Sequence, residues 1–442
     1  MTIRRLDYGL SQKGDDIKMT KVREYILRYP QCQKKNQKNL SNKPRVVVCS
    51  CNYSNNLSVA RALGEAGYEV EILRIFYENA SFLKQMIIPD AYSKYVKVYS
   101  TCMAGDNQLI FEQLLNMADS YQKKLFIPVD DLATSIEDMY YEKLQNYFYL
   151  PNISQKAGAI NYFMQKDIQK QYAKQAGFSV ANSCVLTIKN GCFDIPDTIS
   201  YPCFIKPNVS KNASKRLITI CKDENELKLF LESLSYENLE LLVEELIDVK
   251  KEYGILGLST KDGVIAPGFF VTEKGGHRNR KGITLTGKML SCAQKDKIID
   301  NVVNYLKALN YEGLFDVDLI ESADGEIYFS ELNLRLGASG YAVTKSGVNL
   351  LGMYADYIYF KRPIDLQCEV NTVGKLFLNE RVLLNEYRDG YLTLRDVRDY
   401  MKKADISFMK NEKDMWPYRF FKMLFLVAPF ERYLRLKYKK PI

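Results

Sequence analysis

The stretch YFSELNLRLGASG, residues 328–340, closes an apolar strand pattern with a carboxylate and a carboxamide two positions apart, followed at once by Arg335 and a glycine-broken loop. Side chains alternate faces along a strand, so Glu331 and Asn333 point to one side and Leu332 to the other. Upstream, in LFDVDLI, Asp316 and Asp318 also share a face, and the turn sequence ADGE makes the two runs a hairpin. Carboxylates and a carboxamide oxygen on neighbouring strands suit Mg²⁺, which takes hard oxygen ligands and shares them with substrate phosphates. The plainer alternative is a solvated hairpin face.

A second group lies earlier in the chain. Lys206 ends the apolar run YPCFIKPN before Pro207, where its ammonium can act as a point charge for a phosphate. The small-residue loop NVSKNASK follows, and its amides with Ser210, Asn212 and Ser214 could close over phosphates, helped by Lys211 or Lys215. It is no Walker loop, and a plain hairpin turn is an equal reading. In LLVEELIDVKKE, Glu245 and Glu252 stand seven apart across a short turn, one placed beside a flat heterocycle and the other towards a ribose. An exposed acidic strand edge is the alternative.

These residues need a scaffold, and 442 residues at 47% hydrophobic and 26% charged allow two or three soluble domains. RVVVCSC, LSVARALGEAG and YEVEILRIF read as strand, helix, strand of an open parallel sheet, and KKLFIPVDD as a later strand ending in two acids. The first loop has no G-x-G-x-x-G, which weakens a dinucleotide role, although Asn52 to Asn56 lie where open sheets bind ligands. A helical texture begins at YFMQKDIQKQYAKQAGF; strands and hairpins then dominate, interrupted by the helix QKDKIIDNVVNYLKALN, as in an α+β body.

Charge and composition exclude other classes. No window approaches a membrane span, and the first residues lack an apolar signal core, so a cytoplasmic protein is expected. Ten scattered cysteines and one histidine fit free thiols rather than zinc or a disulfide frame. Residues 1–44 carry a net +7 and residues 415–442 a net +6 of the total +9, which leaves the central body near −4 and argues against a nucleic-acid groove there. The aromatic, basic tail WPYRFFKMLFLVAPFERYLRLKYKK reads equally as an interfacial anchor on anionic lipid or as a final packed helix. In EKGGHRNRKG, His277 reads as an exposed loop residue, and Arg278, Arg280 and Lys281 as a flap touching an acidic substrate or phosphates.

Taken together, the chain resembles the ATP-grasp superfamily of carboxylate-amine ligases over roughly residues 45–362, and within it is most similar to D-aspartate ligase-like enzymes. The resemblance implies an ATP-grasp fold with a Rossmann-like pre-ATP-grasp domain: a basic leader over 1–44, that domain over 45–150, the ATP-grasp domain over 151–365 and a basic aromatic extension over 366–442. It implies ATP and Mg²⁺, or Mn²⁺, with Lys166, Lys206, Ser210, Ser214 and Glu252 on the nucleotide and Glu244, Glu245, Leu246 and Ile247 as the adenine hinge. Lys288 would be a further phosphate contact. Asp318, Glu331 and Asn333 would hold the metal, and Arg335 with Lys206 would act on the transferred phosphoryl group. The phosphate loop departs from the pattern, with Lys and Asn where many relatives carry glycines. The implied reaction phosphorylates a carboxylate and lets an amine displace phosphate, adding an aspartate-like amino acid to a cell-envelope precursor. The alternatives are a ligase for a small peptide or surface polysaccharide, and a non-catalytic nucleotide-binding scaffold at the membrane.

Overall fold

Residues 44–77, 85, 87–209, 217–277, 283–292 and 296–438 are described by a computed structural model of the chain. The run RVVVCS forms β1 (Arg45–Ser50), with Val46, Val47 and Val48 fully buried. With β2 (Glu69–Phe76), β3 (Val96–Met103), β4 (Lys124–Pro128) and β5 (Phe148–Tyr149) it makes a parallel five-stranded sheet in the order β3-β2-β1-β4-β5. Such strands read as unbroken apolar runs because both faces are covered. Strand order reverses between β1 and β4, which opens a crevice at their C-terminal ends. Helix α1 (Tyr53–Glu65), capped by Asn52, leaves one side of it, and the helix Asp131–Met139, capped by Asp130, leaves the other. The Cys51 amide donates to the Asp130 carboxylate and ties the two loops together.

Two largely antiparallel sheets follow, in keeping with the α/β and α+β reading. The smaller has the strands Thr219–Cys221, Cys203–Pro207, Asn238–Glu245 and Ser183–Lys189 in that order, and Leu186, Ile205 and Leu241 pack with Leu227 of the helix Glu224–Glu232. The larger has ten strands, centred on Val249–Thr260, Tyr311–Ser322 and Ile327–Asn333. Helices Lys166–Gln175 and Asp296–Leu309 contribute Ala173, Val302 and Tyr305 to one of its cores. The other core is shared with the first sheet: Leu256 and Leu258 meet Val59 and Leu63 of α1 and Leu351 and Tyr354 of the helix Leu350–Phe360.

The last part of the chain is stitched into both sheets. Strands Leu376–Leu378 and Ile406–Ser407 extend the edge of the large sheet. Arg61 of α1, fully buried, donates from Nε to Asp414 Oδ2 at 3.0 Å, from Nη1 to the Phe408 and Met409 carbonyls at 3.0 and 2.9 Å, and from Nη2 to the Asp414 carbonyl at 2.8 Å. The tail is the helix Trp416–Tyr438, which buries Phe421 and Ala428 against the body and leaves Met423, Leu426 and Phe430 exposed. Among the described residues no helix is long and apolar enough to cross a membrane, and the described cysteines are free thiols.

Candidate active site

The hairpin expected from ADGE forms, turning at Gly325 with φ +91°. Its register sets Asp318 opposite Glu331 and Asp316 opposite Asn333, so all four side chains share one face. A bulge between Asp318 and Leu319 breaks the ladder beside Glu331, a device that re-aims a strand-end side chain. Asn333 Nδ2 donates to Asp318 Oδ2 at 3.1 Å, and Arg335 Nη2 donates to Asn333 Oδ1 at 3.0 Å. Arg335 Nε donates to Asp131 Oδ1 at 2.8 Å, across the crevice of the first sheet.

The electrostatics of this face are unbalanced. Burial pushes the Asp318 carboxyl well above the usual range, and Asp316 and Glu331 add to the rise. Asp316 is pushed up to about 7, by burial first, with Arg335 opposing and Glu331 adding. One Asp316 oxygen, Oδ1, has no hydrogen-bond partner, and the other would lie 1.6 Å from a Cβ at position 337, so only glycine fits there. Buried acids that repel one another in this way suit a divalent cation. Among the described residues no three His, Cys, Asp or Glu side chains are gathered to hold an ion alone; Asp318, Glu331 and Asn333 offer two carboxylates and a carboxamide, which leaves the other positions for phosphate oxygens.

Lysines face these acids from two other elements. The helix Lys166–Gln175 puts Lys166, Gln169 and Lys170 on one buried face, at i, i+3 and i+4. Lys166 Nζ is 2.9 Å from Glu331 Oε1, and Lys206 Nζ is 2.8 Å from Glu244 Oε2. Lys170 pairs with the other Glu244 oxygen and donates to the Ala181 carbonyl at 3.0 Å. Gln169 fixes the spacing, donating to the Leu332 carbonyl at 2.8 Å and accepting from the Leu332 amide at 2.9 Å. Burial pushes the carboxyls of Glu331 and Glu244 up, but the adjacent ammonium groups outweigh it and hold both below the usual range. Burial lowers the Lys170 pKa in spite of Glu244.

Of the residues expected from sequence, Lys166, Asp318, Glu331, Asn333 and Arg335 are joined by direct contacts and the hairpin register, and Lys206 pairs with Glu244, which Lys170 ties to the helix of Lys166. Glu245 faces away from the lysines; its carboxylate accepts from the Asn182 amide at 2.9 Å and Nδ2 at 3.0 Å. The Leu246 amide donates to the Pro202 carbonyl at 3.2 Å, and Ile247 follows it in the link between the strands Asn238–Glu245 and Val249–Thr260. Glu252 sits opposite Ile320 on the strand Val249–Thr260, where burial raises its pKa. Lys288 lies on Thr284–Leu290, further across the large sheet, paired with Glu273 at 3.4 Å. Ser210, Ser214 and the rest of their loop, like Arg278, Arg280 and Lys281, fall outside the described residues. His277 lies in a loop with its side chain 38% exposed, and it is fixed there: its ring stacks on Tyr391 with centroids 4.9 Å apart, and Nδ1 bonds the buried Glu386. Sequence reasoning missed Lys170, Gln169 and the partnership of Asp131 with Arg335. The lysines one helical turn apart were a legible signal for the first.

The family of the ATP-grasp domain matches residues 171–349. This chain carries an ATP-grasp domain. The matched segment holds Lys206, Glu244, Asp318, Glu331, Asn333 and Arg335, and Lys166 stands just before it. A D-alanine–D-alanine ligase of Geobacillus thermodenitrificans is 25% identical over 221 residues, covering 47% of this chain and 60% of that protein. The chain therefore spans little more than half the length of such curated relatives. In fold the chain is similar to N5-carboxyaminoimidazole synthetase from Staphylococcus aureus complexed with ADP (TM-score 0.55, 15% identity, 75% of this chain and 80% of that one). It is similar also to an L-amino acid ligase from Bacillus licheniformis (TM-score 0.52, 16% identity, 72% and 74%).

Proposed function

We propose that the protein is an ATP-dependent carboxylate-amine ligase. The observation that carries this reading is the convergence of Lys166 and Lys206 with Glu331, Asn333 and Arg335 from three elements, on a face where the buried carboxyls of Asp316 and Asp318 are pushed up by burial and by the neighbouring acids. A pure nucleotide binder has no need for the metal-binding oxygens and the arginine together. Asp318, Glu331 and Asn333 would hold Mg²⁺ or Mn²⁺, which when bound neutralises charge on the phosphates of ATP. Lys166 and Lys206 exchange their carboxylate partners for phosphate oxygens as nucleotide enters. Arg335, held by Asp131 and Asn333, is placed to meet charge that develops on the phosphoryl group.

The reaction then balances as follows. A substrate carboxylate oxygen bonds to the γ-phosphorus as the bond to ADP breaks. The amine nitrogen next bonds to the carbonyl carbon, phosphate leaves with the electron pair of the C–O bond, and the ammonium proton passes to solvent. Little covalent work falls to the protein, so catalysis comes from positioning and charge.

For the substrates, the relatives named for joining amino acids support an amino acid as the carboxylate, and the closer resemblance drawn from the sequence supports an aspartate-like one added to a cell-envelope precursor. A cytoplasmic site of action fits that reading. The tail supports contact with the membrane surface: Leu426, 82% exposed, and Phe430, 60% exposed, lie on the outer face of the last helix, and Arg419, Lys422 and Arg432 supply positive charge beside them. The test is phosphate release from Mg-ATP, screened against single D- and L-amino acids with and without a peptidoglycan precursor. Release that needs one amino acid and one acceptor supports the ligase; nucleotide binding without turnover across acceptors of all three kinds, precursor, peptide and polysaccharide, would leave a binding protein.

A further inference from the structure

Asp131, the partner of Arg335, follows Asp130 at the start of the helix after β4. Asp130 is held by the Cys51 amide, and Cys51 leads through Asn52 into the first turn of α1. There two guanidinium groups lie over the Tyr53 ring, each 5.6 Å from its centroid: Arg74, near the end of β2 and also over the Phe76 ring, and Arg381, of the helix Glu380–Asp389. Arg74 is only 6% exposed, and neither its Nε nor its Nη1 has a hydrogen-bond partner. Buried guanidinium donors are rarely left in that state, because their desolvation goes uncompensated.

The surrounding charges favour a negative ligand. Asp90 stands 3.6 Å from Arg74 Nη1, but its oxygens already accept from Asn56 Nδ2 at 3.2 Å and Tyr99 Oη at 3.1 Å. Arg381 donates to Ser54 Oγ at 3.5 Å, while Arg388 on the same helix is paired with Asp389 at 3.5 Å. Arg74 and Arg381 thus share the Tyr53 ring, with Asp90 beside Arg74 and Asp130 bonded to the Cys51 amide. The Asn52 side chain caps the Ser54 amide, which leaves those of Tyr53 and Asn55 without an intrahelical acceptor at the positive end of the helix dipole.

We propose that this corner binds an oxyanion, a carboxylate or a phosphate, carried by one of the two substrates and held by Arg74, Arg381 and the first-turn amides of α1. Assigning the anion to a substrate rests on the ligase reading; the site itself does not. The corner would make the enzyme selective for an acidic substrate, either an amino acid with a second carboxylate or a phosphorylated acceptor, and the bound anion would lie along the crevice that leads to Arg335.

The experiment is calorimetric titration of the full chain with inorganic phosphate and, separately, with D- and L-aspartate, with and without saturating Mg-ADP. One of these anions is expected to bind one-to-one, and Arg381→Gln, at a half-buried position, should weaken it by roughly tenfold or more while leaving Mg-ADP affinity unchanged. Arg74→Lys should weaken it less than Arg74→Met. Saturation by aspartate assigns the site to a side-chain carboxylate, and saturation by phosphate to a phosphorylated acceptor. Absence of saturable binding, or equal binding by wild type and Arg381→Gln, overturns the site. A wild type that binds the anion but not Mg-ADP overturns the ligase reading and leaves the anion site standing.

Discussion

Arg335 Nε and Asp131 Oδ1 meet at 2.8 Å although 204 residues separate them in the chain. The bond crosses from the ATP-grasp sheet to the switch point of the first sheet, so the group proposed to meet the transferred phosphoryl is aimed by the other half of the crevice. Asp131→Asn, which keeps the shape and loses the charge, is expected to lower kcat by about ten- to a hundredfold with little change in the KM for ATP. Arg335→Lys should cost more, about a hundredfold or beyond, because an ammonium cannot hold Asp131 and Asn333 together. Steady-state kinetics on both variants check this, and a change confined to KM would contradict it.

Asp318 gives a prediction of opposite sign for stability and activity. Burial, with Asp316 and Glu331, raises its pKa in the folded chain. A raised carboxyl contributes stability below its unfolded value and loses that contribution as pH rises, so near pH 7, above that unfolded value, the burial of this carboxyl works against folding. Asp318→Asn should therefore raise the melting temperature of the ligand-free protein at neutral pH and cut turnover by about a hundredfold or more. Wild type should gain more stability than the variant from added Mg-ADP. Thermal unfolding at neutral pH, with and without Mg-ADP, decides the point; a variant less stable than wild type would contradict it.

How much of this was readable in advance differs residue by residue. The Glu331 and Asn333 pair was legible because strand alternation has a period of two and ADGE is turn chemistry, so the register followed from local sequence. Lys206 was legible because an apolar run ends on it. The partner of Arg335 was not, since nothing local relates position 335 to position 131. Arg61 looks like a polar point on an amphipathic helix, and only the return of residues 408–414 makes it a buried anchor. His277 lies in a stretch of polar loop composition, yet Tyr391 and Glu386 arrive from distant sequence to fix it.

Glu244 sets a pH dependence. Its pKa lies below the ordinary 4.5: burial raises it, and Lys206 and Lys170 more than offset the rise. A depressed carboxyl contributes stability that is present above its unfolded value and lost as pH falls through its folded one. Between about pH 6 and pH 3, wild type should lose melting temperature more steeply than Glu244→Gln. At pH 7 the variant should be less stable, by about 3 kcal/mol or more if both lysines are left buried without a counter-charge. Denaturant unfolding at the two ends of that range provides the comparison.

The tail makes a separable prediction. Truncation after position 414, or Leu426→Asp with Phe430→Asp, should abolish salt-sensitive sedimentation with vesicles containing anionic lipid, while neutral vesicles bind weakly in every case. Because Phe421 is buried against the body, the double variant is the better control for folding. Equal sedimentation of wild type and double variant would remove the membrane from the proposal.

The most direct test of the ligase reading follows one oxygen atom. With the substrate carboxylate labelled with ¹⁸O, passage through an acyl phosphate moves one labelled oxygen into the released phosphate during each turnover, and Glu331→Gln should stop both phosphate release and label transfer. Labelled phosphate formed in step with ADP and amide is the expected result. Phosphate released without label, while amide accumulates, would contradict it.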